Sequence, residues 1–241
     1  MGTIVIDIGN SRQKAAVWEA GELLEFSVSE RISLSLLTGW QQKYGVRYLA
    51  CSSVAQPDSA FLAALASQFE VHFPEQLPVP FEMAYQTPAT LGTDRLACMA
   101  AAAALYPRRS VLVVQCGSCL TFDLLHENVY RGGSISPGLL MRFKALHAFT
   151  ARLPQLSPQE DVPLVGDSTS ASIQAGVWQG YLAECEGMIE KYCAQYENLI
   201  VILTGGDAER LKDKLKKTIF AQPHMVLCGL GFMLDEYIKN Q

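Results

Sequence analysis

"TIVIDIGNSRQKAAVW", residues 3–18, decides the fold. An apolar run, Ile4 to Ile6, leads into Asp7-Ile8-Gly9-Asn10-Ser11, and a second apolar run, Ala15 to Trp18, follows at once. The pattern is strand, glycine turn, strand. "VVQCGSCLTFD", residues 113–123, repeats the plan. With Gly9 laid over Gly117, "VIDIGNS" covers "VVQCGSC": an apolar strand, a polar position, a spacer, a glycine, then small polar residues. The chain therefore reads as two related halves, each offering a glycine-bearing hairpin.

Such a hairpin has a physical use. Glycine lets backbone N–H groups approach an anion without a Cβ in the way, and hydroxyl or amide side chains add donors to phosphate oxygens. A carboxylate at a strand end holds Mg²⁺, usually through water. Asp7, Asn10, Ser11 and Lys14 supply these groups on the first hairpin, and Ser118, Thr121 and Asp123 on the second. A third element stands at "VILTGGDAERL", residues 201–211. There a buried strand ends in Thr204-Gly205-Gly206-Asp207, and "AERLKDKLKK" follows with the pattern of an amphipathic helix, whose N-terminus favours anions. Neither G-x-x-x-x-G-K-[ST] nor G-x-G-x-x-G occurs, so this is not a Walker loop or a dinucleotide fingerprint.

Bulk properties narrow the class. The 241 residues carry a net charge of −5, with 49% hydrophobic and 18% charged residues. That is the balance of an ordinary globular protein, and it favours neither nucleic acid nor a membrane as partner. No stretch has the form of a signal peptide, and "MAAAAAL" is too short to span a bilayer. The seven cysteines (51, 98, 116, 119, 185, 193 and 228) are odd in number and scattered, which suits reduced thiols in a cytoplasmic protein. Cys116 and Cys119 form a C-x-x-C. A redox pair wants a helix start behind it, and here "LTFDLL" reads as a strand; a zinc site lacks two further ligands. The pair is two small residues in a tight turn.

The D-x-G-N-[ST] start, the central Gly-Ser turn and the late T-G-G resemble the superfamily of actin, heat-shock ATPases and sugar and acetate kinases. More narrowly, "LGTDR" (91–95) resembles the G-x-D-R motif of the type III pantothenate kinases. "GGSISPG" (132–138) resembles their G-G-x-I-x-P-G, "GDSTSASIQAGVWQG" (166–180) their G-x-x-T segment, and "VLCGLGFML" their closing element. The matches keep family order across nearly the whole chain.

The resemblance implies α/β architecture. Two ribonuclease H-like halves, 1–107 and 108–241, would each carry a mixed five-stranded sheet flanked by helices, with ATP in the cleft between. It implies ATP-dependent phosphorylation of pantothenate at its primary hydroxyl, the first step towards coenzyme A. By position, Asp94 corresponds to the proton acceptor, and Gly92, Thr93, Asp94 and Arg95 to the substrate loop. Arg95 suits the carboxylate that pantothenate carries. Read without the resemblance, Thr93 or Asp94 is a helix cap for "RLACMAAAAAL". Tyr85 corresponds to an aromatic of the substrate pocket and Thr169 to a substrate-contacting threonine. Asp7, Ile8, Gly9, Asn10, Ser11, Arg12, Gln13 and Lys14 cover the first phosphate turn, Gly117 and Ser118 the second, and Gly205 and Gly206 the adenosine end. Mg²⁺ would fall to Asp7 and Asp123. A homodimer is implied as well.

The chain departs from the family at the second turn, usually D-x-G-T-A-x-T-x-D. Gln115 stands at the acidic position that helps hold K⁺ or NH₄⁺, which puts that cation in doubt. Two other readings are a kinase of another small hydroxylated substrate and a transcription-accessory relative without turnover. "GTDR" with "GGSISPG" weighs against the first, and the presence of Asp7 and Asp94 against the second.

Overall fold

The computed structural model describes residues 2–54, 58–216 and 219–241. The chain opens with β1 (Thr3–Ile8), β2 (Gln13–Glu19), β3 (Glu22–Ser29), α1 (Leu34–Tyr44) and β4 (Tyr48–Ser53). It continues through α2 (Ser59–Gln68), β5 (Glu70–His72), β6 (Glu82–Met83) and α3 (Thr93–Leu105). Next come β7 (Val111–Cys116), β8 (Cys119–His126), β9 (Val129–Pro137), α4 (Leu139–Ala148) and α5 (Thr169–Gln195). Last are β10 (Ile200–Thr204), α6 (Ala208–Leu211), β11 (Phe220–Ala221) and α7 (Met225–Lys239).

Local chemistry explains the joints. Ser33 caps α1, its hydroxyl accepting the Leu36 amide at 3.3 Å, and Gly45 ends the helix at φ 64°. Glu127 and Asn128 adopt φ 50° and 64°, so β8 turns into β9 through a two-residue left-handed hairpin. This is the turn expected at "HEN".

The strands form two mixed sheets, ordered β3-β2-β1-β4-β5 and β11-β10-β7-β8-β9-β6. The first has the five strands expected. The second has six, because residues 82–83 pair in parallel with β9, Met83 beside Tyr130. In the first sheet β1 lies antiparallel to β2 and parallel to β4, which sets Lys14 on one side of Asp7 and Ser52 on the other. The helix expected from "AERLKDKLKK" is shorter than its pattern. It stops at Leu211, and residues 212–214 continue as a turn. Lys212 and Lys214 pair with Glu209 and Asp161.

Two compact units emerge: residues 1–108, 125–131 and 224–241, and residues 109–124 and 132–223. A linear boundary at 107 therefore misses two segments, of which α7 is the larger. Its reason for joining the first unit is close packing. A Cβ on Gly229 would stand 1.8 Å from the Ala97 carbonyl oxygen of α3, and one on Gly231 would stand 2.2 Å from the Trp18 ring. Trp18 Nε1 donates to Asp235 at 2.8 Å, and Phe232 meets the indole edge-on at 4.8 Å. The first unit's core gathers Ile4, Ile6, Val17, Trp40 and Leu49; the second's gathers Leu112, Phe122, Phe143, Trp178 and Leu203. Among the described residues no helix is long and apolar enough to cross a membrane.

Candidate active site

In the first unit, the end of β1, the end of β4 and the start of α3 meet. Thr93 Oγ1 lies 2.9 Å from Ser52 Oγ and also donates to the Ser53 carbonyl at 3.4 Å. The helix begins at Gly92, whose carbonyl accepts from Leu96. Thr93 and Asp94 therefore stand inside the first turn, and neither side chain is the helix cap. Asp94 Oδ1 accepts the Arg95 amide at 2.8 Å and lies where a Cβ on residue 92 would be, 2.7 Å away. The glycine of "GTDR" makes room for that carboxylate. The positive end of α3 favours a negative charge there.

Asp7 shares this corner. Its pKa is raised to about 6, chiefly by burial, with Lys14 opposing and the charge of Asp94 adding to the rise. The turn after it closes with the Gly9 amide on the Arg12 carbonyl at 3.2 Å. Asn10, Ser11 and Arg12 are exposed on that turn. Two residues of the expected phosphate segment are engaged elsewhere: Ile8 packs in the core, and Gln13 Oε1 accepts the Ile32 amide at 2.7 Å.

Arg95 is buried, 6% exposed. Its Nη2 donates to the Tyr130 hydroxyl at 3.1 Å, and its guanidinium lies 5.9 Å from the centre of the Tyr85 ring. The Tyr85 and Tyr130 rings are 5.6 Å apart. The β6–β9 pairing brings them together, and the Ala84 amide donates to the Tyr130 carbonyl at 3.1 Å. Tyr85, ten residues before Arg95, thus joins Asp94 and Arg95 in one neighbourhood. Tyr130 belongs to it and no motif marked it; "VYRGG" shows only a strand.

The second unit holds the other glycine turn. Residues 116–118 are gripped from two sides: the Asp207 amide donates to the Cys116 carbonyl at 3.0 Å, and the Gly138 amide to the Ser118 carbonyl at 3.1 Å. Gly205 has φ 99°, and a Cβ there would fall 2.3 Å from the Cys116 oxygen. A Cβ on Gly138 would fall 2.1 Å from the Gly117 oxygen. These contacts explain why "GGSISPG" and "TGG" go with a Gly-Ser turn. Gly206 follows in the β10–α6 connection, and Gln115 lies beside Thr204 in the β7–β10 register.

None of the seven cysteines forms a disulfide. Burial and the neighbouring Cys185 push the Cys116 thiol far above the ordinary range, so it is an unreactive packing residue. Among the described residues no group of three or more His, Cys, Asp or Glu side chains could hold a metal. Asp123 is 2% exposed and accepts the Thr121 hydroxyl at 3.1 Å within the strand. Asp7 is the carboxylate at a turn, which fits Mg²⁺, an ion that keeps its waters and takes one or two carboxylates beside phosphate. Thr169 opens α5, behind Ser168, whose hydroxyl accepts the Ala171 amide at 3.2 Å. With Arg142, Leu146, Phe149 and Ile173 it lines a groove of about 850 Å³ between α4 and α5.

A family model for type III pantothenate kinase matches residues 3–191. The chain is 42% identical to the type III pantothenate kinase of Christiangramia forsetii, over 99% of both chains. It is 40% identical to that of Phocaeicola vulgatus, over 96% of this chain and 97% of the relative. Among solved structures it is similar to a Campylobacter jejuni protein assigned to the Baf family of transcriptional activators, with TM-score 0.63, 19% identity, and 98% and 99% of the two chains covered. It is also similar to the polyphosphate/ATP-glucomannokinase of an Arthrobacter strain, with TM-score 0.52, 14% identity and 99% of each chain covered. At those identities the likeness is one of fold, that of the actin-like ATPases and sugar kinases. The family match and the full-length relatives together establish that this chain belongs to the type III pantothenate kinases, enzymes that phosphorylate pantothenate with ATP at the entry to coenzyme A synthesis.

Proposed function

We propose that Asp94 takes the proton of the primary hydroxyl of pantothenate as that oxygen attacks the γ-phosphorus of ATP and ADP leaves. The observation that carries this is the corner where Asp7, Ser52, Thr93 and Asp94 meet beside a buried Arg95. Phosphoryl transfer asks mainly for positioning and charge neutralisation, with one group to receive the proton. Arg95 takes the substrate carboxylate, Tyr85 walls the pocket, and Thr169 contacts substrate. The amides and hydroxyls of the turns at 9–14 and 117–118 hold the phosphates, with Gly205 and Gly206 at the adenosine end. Mg²⁺, held through water by Asp7, offsets the phosphate charge when bound. The metal reading rests on Asp7 alone, since Asp123 is enclosed.

At the family's monovalent-cation position Gln115 offers a carbonyl oxygen and no charge. The rate of pantothenate phosphorylation in KCl is therefore expected within about twofold of that in NaCl at equal ionic strength, a neutral oxygen holding a cation more weakly than a carboxylate. Steep activation by K⁺ would show that the site survives the substitution.

The functional form is a homodimer, joined through the α4–α5 face. Phe149, at the end of α4, is 88% exposed, and Val165 and Leu164, in the segment before α5, are 79% and 77% exposed. Apolar residues so bare mark an interaction surface. Light scattering is expected to give twice the chain mass of 26.4 kDa, and Phe149→Glu to shift the protein towards monomer. A wild-type monomer at micromolar concentration overturns this.

A further inference from the structure

Arg95 is the donor for the substrate carboxylate in the reading above, and the present inference rests on that reading. A free arginine side chain is a poor selector, because its head samples many positions and its fork must be aimed to meet a carboxylate edge-on. Something has to aim it. The Tyr130 hydroxyl receives Arg95 Nη2 at 3.1 Å, and Tyr130 is itself completely buried. Its ring is fixed from two directions, by Phe81 at 6.1 Å with 62° between planes and by Tyr85 at 5.6 Å with 35°. Its backbone is tied to β6 through the Ala84 amide. Tyr130 is thus a rigid post, and one edge of the guanidinium is fastened to it while Tyr85 covers the face.

We propose that Tyr130 is a positioning residue for substrate selection: its hydroxyl fixes the plane of the Arg95 guanidinium so that the site prefers a substrate ending in a carboxylate over one ending in a neutral group. The hydroxyl touches no reacting atom, so its loss should act on pantothenate binding and leave the chemical step alone. At this end of the substrate a planar anion is read, whereas the reacting hydroxyl is read by Asp94.

Tyr130→Phe removes one oxygen and keeps the ring that Phe81 and Tyr85 pack against. The measurement is kcat and KM for ATP, for pantothenate, and for pantothenol, which carries an alcohol in place of the carboxylate. In Tyr130→Phe the KM for pantothenate is expected to rise about tenfold, the scale of one lost hydrogen bond to a charged group. The preference for pantothenate over pantothenol should fall by a similar factor, with kcat and the KM for ATP within about twofold of wild type. A preference that stays at the wild-type value overturns the proposal. So does a KM for ATP that rises together with that for pantothenate, or a variant that no longer folds, since either makes Tyr130 a core residue only. Arg95→Lys separates this from the underlying reading. It keeps the charge and loses the fork, and it should abolish most of the preference. If it leaves the preference intact, Arg95 does not take the carboxylate and the inference falls with that assignment; if it abolishes the preference while Tyr130→Phe does not, only the role of Tyr130 fails.

Discussion

Asp94→Asn is expected to lower kcat for pantothenate phosphorylation by about 10²–10⁴-fold, the usual worth of a positioned general base. The KM values for ATP and pantothenate should change little. The substitution is well suited to the question, because Asn can still accept the Arg95 amide that Asp94 Oδ1 accepts at 2.8 Å. The start of α3 therefore survives, and only the ability to take a proton is removed. Steady-state kinetics with a melting curve on the same preparation checks both halves of the statement. A loss below tenfold, with the fold intact, would move the proton acceptor elsewhere, Asp7 being the nearest alternative in the same corner.

Asp7→Asn should separate stability from activity. Burial disfavours the charged form of the Asp7 carboxyl and raises its pKa from the ordinary carboxylate range to about 6. The sign follows. Between about pH 4 and 6 the folded state holds a proton that the unfolded chain has released. Folding stability therefore falls as pH rises through that window and stays lowered above it. Asn carries no such burden. In the absence of nucleotide and Mg²⁺, Asp7→Asn is expected to melt several degrees above wild type at pH 8. The upper bound on the gain is about 3 kcal/mol, from roughly two pKa units at about 1.4 kcal/mol each. The two proteins should converge below about pH 4. Turnover should nevertheless collapse in the variant. A variant no more stable than wild type at pH 8 would mean that Lys14 offsets the burial in full.

Much of this corner was legible in the residues. The two hairpins show in sequence because each is local: apolar strand, glycine, small polar residues, apolar strand. "GTDR" shows because a helix start has its own grammar, although Thr93 turns to Ser52 and Asp94 to its own neighbour, so that Gly92 is left as the cap. What did not show depends on contacts between distant segments. Tyr130 looks like any strand tyrosine until β6, two residues long, pairs beside it. That same short pairing adds the sixth strand to the second sheet. The return of α7 to the first unit is hidden in an apolar stretch whose glycines look like helix weaknesses. They are the points where α3 and Trp18 come closest. The early end of α6 at Leu211 is not marked by the periodicity of "AERLKDKLKK".

The placement of α7 also bears on how the protein is made. Within this chain β1 to α3 leave the ribosome well before residues 225–239, so α3 and Trp18 lack their cover until that helix has been synthesised. The second unit, residues 109–124 and 132–223, lies wholly between those two events in chain order. Vectorial folding therefore favours the second unit as the first to settle during translation, while the N-terminal sheet waits with an uncovered apolar face. That delay makes the nascent first unit a natural client for chaperones, and it makes α7 the segment that completes that unit.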